Sequence, residues 1–126
     1  MLTNAAVHPT LPAVELERAR KFYEGTLGLN VLRTDPSPGV LYETGGGTRI
    51  YVYQRGATKA DHTAASFTVA DVEAEVKELK AKGVVFEDFD VGGFKTVDGI
   101  ATVDGMKAAW FKDTEGNILA ITSMGT

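Results

Sequence analysis

Cysteine is absent from the 126 residues, which excludes disulfides, thiolate nucleophiles and cysteine-bound zinc. Histidine is scarce: only His8 and His62 occur, and neither stands in a Ser–His–Asp setting. There is no basic excess, since 13 Lys and Arg face 17 Asp and Glu, for a net charge of −4 without runs. Phosphate recognition needs a concentrated basic face, so nucleic acid is not an expected partner. No apolar run approaches the ~20 residues of a membrane span. Met1 to Thr10 also lacks a basic-then-apolar signal pattern, so no membrane association is expected and the expected location is cytoplasmic. Gly45-Gly46-Gly47 precedes a strand pattern and not a helix, which makes it a turn and not a phosphate loop.

What is present is globular in character. Hydrophobic residues make up 44% of the chain, enough for one domain or for two small modules sharing a core. Val7 to Ala13 alternates and contains Pro9 and Pro12, which predicts a short strand at a sheet edge or bulge. Leu16, Ala19, Phe22 and Leu27 recur at helical spacing, with Glu15 and Glu17 at the start and Gly25 and Gly28 at the end; a helix from Glu15 to about Thr26 follows. Strands are expected at Leu29–Thr34, Val40–Glu43 and Thr48–Gln54, separated by Asp35-Pro36-Ser37-Pro38-Gly39 and by the glycine turn.

The same order then returns. Thr63 to Val69 alternates as a strand. Val72, Val76 and Leu79 form a helical stripe between Asp71 and Lys82-Gly83. Strands are expected at Val84–Phe89, near Ile100–Val103, at Ala108–Lys112 and at Asn117–Thr122, with Asp90 to Gly99 as a long glycine-containing loop near a site opening. Glu15-Leu16 aligns with Asp71-Val72, and Gly47-Thr48 with Gly116-Asn117. The chain is thus an internal duplication, with modules at about 5–56 and 60–124 of a single domain.

The residues that carry a family resemblance are Leu16-Glu17-Arg18-Ala19-Arg20-Lys21-Phe22-Tyr23 with Leu27-Gly28-Leu29, Phe67-Thr68-Val69-Ala70-Asp71-Val72, and Trp110-Phe111-Lys112-Asp113-Thr114-Glu115-Gly116-Asn117. In order and spacing the chain resembles the vicinal oxygen chelate superfamily of glyoxalases, bleomycin-resistance proteins and extradiol dioxygenases. The resemblance implies an α+β fold of two tandem βαβββ modules forming curved mixed sheets around a cleft, and an assembly that is a homodimer.

Alternation along the strands sorts their residues into two faces. Leu11, Ala13, Ile50, Val52, Phe67, Val69, Leu119 and Ile121 form an apolar set for the helix side. The opposite parity gives His8, Thr10, Arg49, Tyr51, Tyr53, His62, Ala64, Ser66, Ala120 and Thr122, a polar, aromatic or small set suited to lining a ligand cleft. Trp110 and Phe111 are neighbours and must face opposite ways; one of them joins the cleft. Phe94, in the long loop, either caps a ligand or pins the loop.

The resemblance also implies four metal-ligand positions, which fall on His8, Tyr51, Ala64 and Ala120. Of these only His8 is a good ligand for a divalent transition metal, and a methyl group cannot bind a cation. A displaced set of His8, His62 and Glu43 has no template in the family. His8 itself has three readings: an exposed strand-start residue, a hydrogen-bonding cleft residue, or a ligand. Tyr51 and Tyr53 offer flat apolar area with hydroxyl handles, and Arg49 either binds an anionic group or is solvated. Asp71, Asp113 and Glu115 are expected in turns and helix starts.

The function expected is that of a metal-independent binder of a small, aromatic, neutral or weakly anionic molecule, with no cofactor. The alternatives are a lyase, isomerase or dioxygenase with a displaced divalent metal, metal-free acid–base chemistry on His8 or a tyrosine, and a regulatory domain with a vestigial cleft.

Overall fold

The computed structural model describes residues 1–91 and 94–123, apart from the side chains of Val91 and Phe94. The role expected for Phe94 therefore falls outside the described residues. The chain divides into two compact units, Met1–Lys59 and Ala60–Thr126. Among the described residues no helix is long and apolar enough to cross a membrane.

In the first unit a 3₁₀ turn at Leu2–Asn4 precedes β1 (Thr10–Ala13), α1 (Leu16–Arg20), a π-helical turn (Lys21–Thr26), β2 (Asn30–Asp35), β3 (Gly39–Glu43) and β4 (Arg49–Gln54). The sheet order is β1-β4-β3-β2, with β1 parallel to β4 and the other pairs antiparallel. β1 is an edge strand, where Pro12 costs no ladder hydrogen bond. It begins at Thr10 and not at Val7, which is 92% exposed and outside the strand. The predicted helix is α-helical only to Arg20; it then widens into the π turn, closed by Leu27 N–H on the Phe22 carbonyl at 2.9 Å. Ala19 and Tyr23 are its fully buried residues. Tyr23 stacks on Tyr42 of β3 at 5.8 Å between ring centroids. The buried Tyr42 hydroxyl donates to Glu24 at 2.8 Å, and Arg20 Nε donates to the same carboxylate at 2.7 Å. Val40, Tyr42, Ile50 and Val52 share this face through the β3–β4 register, so the helix-covered side of the sheet is the one predicted.

In the second unit β5 (Thr63–Thr68) and α2 (Val72–Ala81) are followed by β6 (Asp90–Val91), β7 (Phe94–Val97), β8 (Ile100–Val103), β9 (Met106–Lys112) and β10 (Ile118–Ser123). The order β5-β10-β9-β8-β7-β6, with β5 parallel to β10, repeats the first sheet and extends it by a hairpin. Asp71 caps α2, accepting the Ala74 N–H at 3.1 Å. Val72, Val76 and Leu79 are buried as the stripe predicts.

Two expectations are corrected here. Val84–Phe89 is not a strand, because β8 already occupies the β9 edge from Met106 to Ala109. Only the far end of β9 is left, and it takes one bridge, Phe86 to Phe111, plus Glu87 N–H on the Trp110 carbonyl. Asp90–Gly99 is not a structureless loop: it contains the β6–β7 hairpin and the turn into β8. That turn is Asp98-Gly99, with φ of 54° and 83°, and Asp104-Gly105 repeats it between β8 and β9 with φ of 50° and 79°. Asp-Gly between alternating apolar residues is the strongest short hairpin signal, and it stands twice in the sequence.

Candidate functional site

The face of the first sheet away from α1 carries a flat aromatic surface. Tyr51 and Tyr53 project from alternate positions of β4, and their rings lie 6.5 Å apart with planes only 8° from parallel. Register places Thr10 beside Tyr51 on one side and Leu41, 6% exposed, on the other. Around the pair lies a cleft of about 370 Å³ lined by Thr10, Ser37, Pro38, Tyr51, Tyr53 and Gln54. This is within the size range of small-molecule sites.

Tyr51 is held from the end of β2. Its hydroxyl donates to Asp35 Oδ2 at 2.9 Å, and Arg33 Nε donates to Asp35 Oδ1 at 2.8 Å. The Arg33 hydrogen bond, reinforced by Tyr51, holds the Asp35 carboxyl below its ordinary range. In return the hydrogen bond to Asp35, with burial adding to it, pushes the Tyr51 phenol up, opposed by the nearby Arg33 charge. The net result is a neutral phenol committed as a donor, unsuited to act as a base. At the other end Gln54 Oε1 accepts the Leu16 N–H at 3.3 Å, which orients the amide NH₂ as the remaining donor. The lining contains no ionisable group other than the two phenols, because Asp35 and Arg33 satisfy each other outside it.

Of the expected site residues, the structure gathers Thr10, Tyr51 and Tyr53 in this cleft. His8 is exposed and precedes β1. Arg49 is exposed at the start of β4, in register with Glu43. In the second unit Ser66, Ala120 and Trp110 form one row across β5, β10 and β9. Trp110 is half-buried with Phe89 edge-on at 5.6 Å, whereas Phe111 is 1% exposed and packs on Phe86. Trp110, not Phe111, therefore shares the Ala120 face. Thr122 and Ala64 are half-buried on strands of the same sheet, with Ala64 at a register shift. The His62 side chain is 77% exposed and contacts Asp61 at 3.2 Å.

Asp113 serves its turn: its carboxylate accepts the N–H groups of Glu115 and Asn117 and the Asn117 side-chain amide, each at 2.8 Å. Among the described residues no three His, Cys, Asp or Glu side chains are gathered as metal ligands would be. The residues at the four ligand positions implied by the resemblance do not fit such an ion. Ser37, Pro38, Gln54 and the Arg33–Asp35 pair were not expected. The proline-flanked turn that carries Ser37 was visible as a turn, but its fold back against β4 was not.

The sequence pattern of the Glyoxalase/Bleomycin resistance protein/Dioxygenase superfamily matches residues 5–121. No curated protein matches the chain by sequence. Among solved structures, TnmS3, an antibiotic binding protein from Streptomyces sp. CB03234, superposes with a TM-score of 0.75 at 19% identity, covering 98% of each chain. FosX, a fosfomycin resistance protein from Listeria monocytogenes, gives a TM-score of 0.73 at 14% identity over 96% of this chain and 93% of that one. A glyoxalase/bleomycin resistance protein from the same Streptomyces gives 0.70 at 20% identity over 93% and 98%. These likenesses show the shared fold.

Proposed function

This chain belongs to the glyoxalase/bleomycin resistance/dioxygenase superfamily, and we propose that within it the protein is a metal-independent binder of a small, planar, uncharged aromatic molecule. The observation that carries this reading is the Tyr51–Tyr53 pair, parallel within 8° and bordering a cleft whose other lining groups are hydroxyls, a proline and an amide. A planar ligand gains dispersion and quadrupole contact from such a surface. Thr10, Ser37 and Gln54 supply hydrogen bonds that orient a ligand without a charge to neutralise. The TnmS3 relative is described as an antibiotic binding protein, which supports ligand sequestration as a role for this fold. A point mutant of FosX has been crystallised with Mn(II) and 1S,2S-dihydroxypropylphosphonic acid, so a metal-bound mode exists among the fold's relatives. The tyrosine, alanine and alanine at the implied positions Tyr51, Ala64 and Ala120 favour the metal-free mode here.

In this reading residues 1–126 are one functional domain of two modules, acting as a cytoplasmic homodimer. Trp110, Ser66 and Thr122 are proposed as the ligand-facing residues of the second module, with the buried Ala120 packed in the row between Ser66 and Trp110. The test is a fluorescence titration with 2-naphthol on chelator-treated protein, alongside metal content measured by mass spectrometry. Saturable binding that survives chelation and weakens roughly tenfold in Tyr53→Ala supports the proposal. Binding that requires added Zn, Ni, Mn or Fe(II), or that ignores both tyrosines, overturns it.

A further inference from the structure

Gly39 opens β3 in register with Tyr53, and it is buried. Its backbone is not in the left-handed region, unlike Gly28, Gly46 and Gly47 of the same unit, so no dihedral requirement calls for glycine there. What calls for it is space. A Cβ built on Gly39 would lie 2.5 Å from Tyr51 Cζ, and closer still to the Tyr51 hydroxyl. The phenol ring therefore lies against the β3 backbone in the volume that any side chain at position 39 would fill. From there its hydroxyl reaches Asp35, the register partner of Gly39 on β2.

We infer that Gly39 is a positioning residue for the tyrosine surface: its missing side chain lets Tyr51 lie flat along β3, parallel to Tyr53 and tied to Asp35. This deepens the proposed binding reading and rests on it only for its functional consequence. The colliding atoms belong to the far end of the Tyr51 side chain, so a methyl at position 39 displaces the ring and not the strand. Displacement breaks the Tyr51–Asp35 hydrogen bond and the parallel arrangement together. Since alanine suits the backbone of an extended strand better than glycine does, Gly39→Ala is otherwise neutral or favourable.

The test is a double-mutant cycle on the full chain with Gly39→Ala, Tyr51→Ala and both, followed by thermal unfolding. The expected result is that Gly39→Ala lowers the midpoint by about 3–6 °C in the parent and does not lower it in the Tyr51→Ala background. Failure of Gly39→Ala to fold while the double variant folds carries the same meaning. An equal loss in both backgrounds, or failure of both variants to fold, overturns the inference. A second readout is ¹³C NMR of the tyrosine Cζ carbons, assigned with Tyr51→Phe. In Gly39→Ala the Tyr51 phenol should titrate nearer its ordinary value, because Asp35 no longer accepts from it; an unchanged titration also overturns the inference. Titration with 2-naphthol separates the two proposals. If Gly39→Ala moves Tyr51 and leaves dye binding intact, and Tyr53→Ala is also without effect, the positioning inference stands and the binding reading fails. A roughly tenfold loss of dye affinity supports both.

Discussion

Trp110 and Ala120 are register partners across the β9–β10 ladder, on the same face of the second sheet. The alanine is 2% exposed, so the position the family resemblance assigns to a metal-binding carboxylate is a packed one in this chain. Replacing the methyl group is then a packing and desolvation problem before it is a coordination one. Ala120→Glu should lower stability by on the order of 3 kcal/mol, combining overpacking with a poorly solvated carboxylate. Urea unfolding checks the loss, and a parallel Zn(II) titration should show no tighter binding than the parent. A stable variant with a new metal site would contradict this account.

Glu24 gives a pH dependence with a defined sign. The Arg20 hydrogen bond, ahead of the Tyr42 hydroxyl, holds its pKa below the ordinary 4.5, although burial opposes the shift. A depressed carboxylate contributes stability that is fully present above the unfolded value and is lost as pH falls through the folded one. The urea midpoint of the parent should therefore decline below about pH 4.5 more steeply than that of Glu24→Gln. Asp35 and Asp88 are lowered too, so the difference between the two curves isolates Glu24. Parallel curves would remove Glu24 from the explanation.

Asp113 accepts three hydrogen bonds from a position only 6% exposed. Asp113→Ala leaves two backbone N–H groups and one amide without their acceptor. The expected cost is about 2–3 kcal/mol, read from the urea midpoint, together with faster hydrogen exchange at Glu115 and Asn117.

The hairpin glycines make a smaller and more local prediction. Gly105 holds φ at 79° behind Asp104 at 50°, a turn in which a side chain is strained. Gly105→Ala should cost on the order of 1 kcal/mol, and hydrogen exchange should rise at the Val103–Met106 end of the β8–β9 ladder first.

Some of this architecture stands plainly in the residues. Alternation along β4 and β10 separates Ile50, Val52, Leu119 and Ile121 from Tyr51, Tyr53 and Ala120, because a strand has period two and one face must cover a helix. The Asp71 cap, the α2 stripe and the repeated sheet order follow from equally local rules. The π turn was not legible, since a widened helix keeps the apolar spacing of an ordinary one while Tyr23 and Glu24 are drawn toward Tyr42. Val84–Phe89 looks like a strand by composition, and only competition with β8 for one edge of β9 denies it a partner.

By itself, then, the sequence determined the duplication and the faces of the strands, both of which depend on residue type and short-range period, and the family resemblance added the positions where metal ligands would be expected. Tertiary structure alone decided that Trp110 and not Phe111 stands beside Ala120, that Asp35 and Arg33 hold Tyr51, and that Gly39 leaves room for its ring. Those outcomes depend on the register between paired strands, and register is set by the packing of whole faces and not by any neighbour in sequence.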